Sequence, residues 1–147
     1  MARILVAYDG STSSKRALDR AIEEARASHA HITVVDVAEM PLNPDEPRYY
    51  GTLDDFAGNE GDPYAPPPDV VDHLTEARDH LASAGINADL AWASGLPARE
   101  IVSTARRVGA KVIVLGEHHH GLLSSLFGSD VDEEVQREAP GCTVILA

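Results

Sequence analysis

Two spacings of apolar residues alternate along this chain. The first is the short continuous run: RILVAY (3–8), HITVVDV (31–37), NADLAWA (87–93), KVIVL (111–115) and CTVILA (142–147). Their length and β-branched content predict strands, and the unbroken stretches ILVAY and VIVL predict strands covered on both faces. The second spacing is helical. In residues 11–30, Ala17, Leu18, Ala21, Ile22 and Ala25 form one stripe, and Thr12 with the neighbouring serines offers N-caps. Residues 68–85 start with Pro and end with Gly, and Val71, Leu74, Ala77, Arg78 and Leu81 are expected on one helix face. Residues 97–109 repeat that Pro-start, Gly-end asymmetry, and residues 130–139 predict a short helix.

Strands and helices therefore alternate. That order predicts an α/β fold: a single doubly wound domain over 1–147, with a five-stranded parallel sheet and helices on both faces. In such sheets ligands bind beyond the carboxyl ends of the strands, where strand order reverses. The segments after Tyr8, Val37 and Leu115 are then the places to look. Residues 38–68 break the alternation. Seven of the nine prolines fall there, with Tyr49, Tyr50, Phe56 and Tyr64 interspersed. A connection of this length is either a solvated excursion or a functional loop.

Charge and composition narrow the partners. The formal net charge is −12, which disfavours nucleic acid and anionic membrane surfaces. No apolar run is long enough for a signal core or a membrane span, so a soluble, cytoplasmic protein is expected. The single cysteine, Cys142, excludes a disulfide within the chain and is expected as a buried thiol in a reducing compartment. Ten arginines against two lysines, with excess acid, fit a high-salt cytoplasm or an arginine-biased genome equally well.

Individual motifs are weak. In AYDGS (7–11), an acid at a strand end could hold the polar edge of a ligand, or Asp9 and Ser11 could simply form the turn and cap the helix. Together the motifs are more specific. A strand ending in D-G-S, a second ending in V-D-V, then G-x-P-x-x-x-I-x-x-x-A (95–105), V-I-V-L-G and a final A-P-x-x-x-V-I-L resemble the universal stress protein family. The resemblance spans nearly the whole chain except 38–68. It implies a five-stranded parallel α/β fold, homodimers and, in one branch, ATP at the strand ends. By that analogy Ala7, Asp9 and Val37 would meet adenosine, beside Leu115, and Gly116, Gly121, Gly128 and Ser129 would meet phosphates.

The stretch GEHHHGLLSSLFGSD (116–130) bears on that last point. ATP-binding members carry G-x-x-G, nine residues, then G-[ST]. Gly116 matches the first glycine, but the second falls at His119. Without a gap the final pair falls at Ser129–Asp130. With a one-residue gap Gly128–Ser129 restores it, and Gly121 matches a further family glycine. The spacing of Val131 and Val135 favours the ungapped register, in which Asp130 and Glu133 make an N-cap pair. A helix N-terminus suits phosphate. Here Asp130, Asp132 and Glu133 would compete for it, each costing about 1 kcal/mol at ~5 Å in water and more in a cleft. No Lys or Arg lies between Lys111 and Arg137 to offset them. The branch that does not bind ATP likewise lacks these glycines.

Three adjacent histidines, His118, His119 and His120, point in different directions, so no metal site is expected from them. There is no G-x-x-x-x-G-K-[ST], G-x-S-x-G or H-E-x-x-H, and no H-I-G-H-type signature after the first strand, so no catalytic residue is expected. Two function classes follow. One is a non-enzymatic stress-response regulator with a degenerate phosphate loop, acting as a homodimer on an unknown protein partner through its dimer surface and residues 38–68, without a nucleotide. The other is a module whose weakly held ATP or AMP, with magnesium, switches partners. The resemblance also implies that the last strand, with Val144, Ile145 and Leu146, pairs across a two-fold axis.

Overall fold

The computed structural model describes residues 2–38, 66–117 and 131–147. Five strands form one sheet: β1 (Arg3–Ala7), β2 (His31–Ala38), β3 (Asp89–Ser94), β4 (Val112–Leu115) and β5 (Thr143–Leu146). Their order is β3-β2-β1-β4-β5, every pairing parallel. Val6 is flanked by Val34 on one side and Val114 on the other. This central position explains the unbroken apolar runs: Ile4, Leu5, Val6, Ile113 and Val114 are all buried.

The order dictates where the helices go. Right-handed crossovers from β1 to β2 and from β2 to β3 put α1 (Thr12–Ser28) and α2 (Pro68–Ser83) on one face. The return to β4 and the step to β5 put α3 (Pro97–Val108) and α4 (Val131–Glu138) on the other. Each face has its own apolar core. Ile4, Val6, Tyr8, Leu18, Leu74 and Trp92 belong to the first, and Leu5, Val35, Ile101, Ile113, Leu115 and Val135 to the second.

Local chemistry fixes the helix ends. Ser11 caps α1, its hydroxyl accepting from the Ser14 amide at 3.2 Å. Pro68 and Pro97 open α2 and α3, where a missing N–H costs nothing. Gly109 ends α3 in the left-handed region at φ 72°.

Three expectations need correction. The buried stripe of α2 is Val70, Leu74, Ala77 and Leu81, whereas Val71 is half-buried and Arg78 exposed. Two adjacent valines gave the pattern a choice of register. Packing selects Val70, because steps of 4, 3 and 4 residues keep one face on the sheet. Cys142 is half-buried, just before edge strand β5, with its thiol 3.4 Å from the Ala110 carbonyl. Of the 38–68 excursion, Ala38 belongs to β2 and Pro68 to α2, and residues 39–65 lie outside the described residues.

Candidate functional site

Strand order reverses between β1 and β4. β1 feeds α1 on one face, while the chain leaving β4 goes on to α4 on the other. Ala7, Val37 and Leu115 lie at or next to the carboxyl ends of β1, β2 and β4, and Asp9 and Gly116 follow β1 and β4, so all five stand at the same end of the sheet. Gly121, Gly128 and Ser129 lie outside the described residues, as do His118–His120 and Asp130.

The turn after β1 is built by side chains. An Asp9 carboxylate oxygen accepts from the Ser11 amide at 2.9 Å, and the Asp9 amide donates to the Ser14 hydroxyl at 3.4 Å. Both turn and cap roles foreseen for Asp9 and Ser11 are therefore present. Gly10 follows at φ 81°, a left-handed conformation that favours glycine.

Gly116 has a packing role of its own. A Cβ there would sit 2.5 Å from the carbonyl carbon of Ser13 and 2.6 Å from its oxygen. The end of β4 thus lies against the first turn of α1, closer than any side chain permits. The glycine is required by this backbone approach whether or not a phosphate ever lies beside it.

On the α1/α2 side of the turn lies a polar cluster that the motifs did not announce. Asp36 on β2 is buried, its side chain 4% exposed, and lies 2.8 Å from Nδ1 of His73 on α2. Burial raises the Asp36 carboxyl to about 6, against the opposing pull of the His73 hydrogen bond and charge, with Asp9 and Asp69 adding to the rise. The His73 ring packs over Gly10: a Cβ on Gly10 would meet its Cδ2 at 2.9 Å and its Nε2 at 3.1 Å.

One turn further along α2, Glu76 accepts a hydrogen bond from the buried Tyr8 hydroxyl and meets Lys15 Nζ at 3.5 Å. Burial raises the Tyr8 phenol, and its bond to Glu76 raises it further. The same hydrogen bond, aided by Lys15, holds the Glu76 carboxyl below its usual range. His80 completes the stripe, its Nε2 2.7 Å from Asp19 of α1. Positions 73, 76 and 80 share a helix face, so one line of polar side chains seats α2 against β1, β2 and α1.

A signal for this cluster exists in the sequence. Asp36 interrupts an otherwise apolar strand, and His73 lies three residues from Val70 and one from Leu74. Glu100 was missed in the same way. It is fully buried in the first turn of α3, with its carboxylate against Gly95, the first glycine of the G-x-P motif. Among the described residues, no group of three or more His, Cys, Asp or Glu is placed to hold a metal ion. No helix among them is long and apolar enough to cross a membrane.

The doubly wound parallel sheet, ordered β3-β2-β1-β4-β5, defines the class, and comparison with known proteins supplies the family. A family model described as the universal stress protein family matches residues 1–146, and the chain belongs to that family. The stress response protein NhaX of Bacillus subtilis (strain 168) is 31% identical over 153 residues, covering 93% of this chain and 92% of that protein. A solved universal stress protein in complex with cAMP is 25% identical with a TM-score of 0.70, covering 99% of this chain and 95% of that one. A family protein from Burkholderia pseudomallei is 26% identical with a TM-score of 0.64, again covering 99% and 95%.

Proposed function

We propose that this chain is a non-enzymatic stress-response regulator. It acts as a cytoplasmic homodimer and holds adenosine or an adenine nucleotide weakly at the strand ends. The nucleotide half is supported by the position of Ala7, Asp9, Val37, Leu115 and Gly116 at the carboxyl end of a sheet whose order reverses between β1 and β4. The solved relative in complex with cAMP supports an adenine ligand there. Ala7, Asp9 and Val37, beside Leu115, serve the adenosine half. Gly116 with Gly121, Gly128 and Ser129 is left to serve the phosphates, and that half is weak. Gly116 is already committed to packing on Ser13. The following segment is free of Lys and Arg, and Asp132 and Glu133 charge the first turn of α4.

The dimer half rests on β5. The hydrogen bonds from the Thr143 and Ala147 amides run to Lys111 and Leu115 on the β4 side. Strand alternation then turns the Val144 and Leu146 amides outward. Thr143 and Leu146 are exposed, and Val144 and Ile145 only half-buried. An edge this open needs a partner, and a second copy pairing through Val144–Leu146 provides one.

Calorimetry with adenosine, AMP, ADP and ATP, with and without magnesium, tests the ligand reading. Affinity is expected to be weak and not to rise with phosphate number. Asp130→Ser with His119→Gly is expected to improve ATP selectively, by roughly 1–3 kcal/mol. Tight binding that climbs from adenosine to ATP, or ATP binding rescued by magnesium, overturns it in favour of a nucleotide switch.

A further inference from the structure

Two large apolar side chains are exposed among the described residues, Leu146 and Leu96. Leu146 lies on the β5 edge, where the dimer reading accounts for it. Leu96 is the middle residue of the G-x-P motif and immediately precedes α3, which it caps without a side-chain hydrogen bond. It belongs to neither apolar core, so the fold does not call for a leucine there.

Its neighbours fix where it stands. The Gly95 amide donates to the Ala38 carbonyl at 3.1 Å, which ties the β3–α3 turn to the end of β2. The Leu96 carbonyl accepts from the Glu100 amide at 3.0 Å, which joins the turn to the helix. Leu96 is therefore at the carboxyl end of the sheet, one residue beyond the glycine bonded to Ala38, the neighbour of Val37.

The face of the sheet is fixed as well. Ala7, Val37 and Leu115 pack with the α3-side core, beside Ala98 and Ile101 of α3. Ala7 and Val37 are only half-buried, so each leaves apolar surface open at the strand ends. Strand alternation sends Tyr8 and Asp36 to the opposite face, and the polar cluster with His73 and Glu76 goes with them.

We infer that Leu96 is a ligand-affinity residue of the strand-end site: with Ala7 and Val37 it forms an apolar wall on the α3 side, against which the adenine ring lies. This rests on the nucleotide-binding reading above and names the side from which the ring is held. A purine has two broad apolar faces and a polar rim, and small-molecule sites meet such a shape with mostly apolar walls and a few polar groups. Ala7 and Val37 alone offer little area, and Leu96 supplies the missing large side chain. The contact is uncharged, so its contribution is the same for adenosine as for its phosphates.

Calorimetry with adenosine and AMP on the unmodified protein, Leu96→Ala, Leu96→Asp and His73→Gln tests this. Leu96→Ala is expected to weaken adenosine about three- to tenfold, and AMP by the same factor within about twofold. Leu96→Asp sets a charge against the ring and is expected to weaken adenosine more than about tenfold. His73→Gln, on the opposite face, is expected to stay within about twofold of the parent. Urea midpoints confirm that each variant is folded, and those of the Leu96 variants are expected near the parent's, since the side chain lies outside both cores. Adenosine affinity within twofold of the parent in folded Leu96→Ala and Leu96→Asp overturns the inference. So does a loss in His73→Gln as large as in Leu96→Ala, which would put the ring on the α2 side, or a Leu96→Ala loss that grows from adenosine to AMP, which would put Leu96 beside the phosphates. Those outcomes leave the nucleotide reading standing. If neither ligand binds the unmodified protein, the nucleotide reading fails and takes this inference with it.

Discussion

Gly116 and Ser13 are held so close that a single added carbon would overlap: the ideal Cβ of residue 116 falls 2.5 Å from the Ser13 carbonyl carbon. Both partners are backbone, so no side-chain rotamer relieves the overlap. Either the end of β4 or the first turn of α1 must move. Moving α1 disturbs the Ser11 cap and the buried Ser13 and Ser14. Gly116→Ala is therefore expected to destabilise the fold by about 2–3 kcal/mol, near the upper part of the range for overpacking. Urea unfolding of the protein without nucleotide measures this directly. An unchanged midpoint would show that the approach is loose and return Gly116 to a purely ligand-binding role.

Asp36 makes stability depend on pH in an unusual direction for a carboxylate. Its folded value, about 6, is above the unfolded value of 3.8. The stability it contributes is fully present below the unfolded value and lost as pH rises through the folded one. Asp36→Asn stays neutral and its carbonyl can still accept from His73. The variant is expected to match the parent near pH 4 and to exceed it by about 1–3 kcal/mol at pH 7.5. Denaturant midpoints at a series of pH values give the difference curve. A variant less stable at pH 7.5 than its parent would mean that the ion pair outweighs the burial of the charge.

The frame of this fold was legible because burial on both sides of a central strand leaves a mark one residue wide. Leu5 and Val6 face opposite cores, as do Ile113 and Val114, so no polar residue interrupts either strand. The strand ends followed from the same reading, which pointed to the segments after Tyr8, Val37 and Leu115, while the particular residues Ala7, Asp9, Val37, Leu115 and Gly116 came from the family resemblance. What pairs across the fold was not legible. Asp36 and His73 are 37 residues apart and meet only once α2 is laid on β2. A lone aspartate in an apolar strand signals that some partner exists, but names none. Gly116 illustrates the converse. Its place in a glycine motif suggested a cradle, while its contact with Ser13 arises from a helix that begins more than a hundred residues earlier. For α2 the pattern placed Leu74, Ala77 and Leu81 correctly and misplaced Val71 and Arg78, because Val70 and Val71 are equal to any rule of periodicity and differ only in what they touch.

Tyr8 offers a spectroscopic handle on the seating of α2. Burial is the main reason its phenol resists ionisation, and donation to Glu76 is the second. Its contribution to stability is present at ordinary pH and lost only as the solution becomes strongly alkaline. In an ultraviolet titration of the four tyrosines, Tyr8 is expected to ionise last, together with unfolding. Tyr8→Phe should remove that final step, and Glu76→Gln should bring it to lower pH while leaving the burial component. A final tyrosine step that survives Tyr8→Phe would assign it elsewhere and weaken the case that this bond anchors the helix.

The two edges of the sheet differ in how they are covered, and the difference predicts the assembly. At one edge, Leu90, Ala91, Trp92 and Ala93 of β3 are all buried beneath helices. At the other, no residue of β5 is fully buried, and Leu146 is 37% exposed. β5 is served on one face by α4, whose eight residues bury only Val135. A short strand of β-branched residues with outward amides at Val144 and Leu146 suits pairing with its own copy. Sedimentation at low micromolar concentration is expected to give twice the chain mass. Leu146→Asp places a carboxylate on that edge without disturbing either core, since Leu146 belongs to neither. It is expected to weaken dimerisation at least tenfold, about 1.4 kcal/mol or more, with little change in the unfolding of the monomer. Leu146→Pro removes an outward amide as well and should be more severe. If the unmodified chain sediments as a stable monomer at that concentration, the edge is not the interface and the coverage of β5 must come from within the chain.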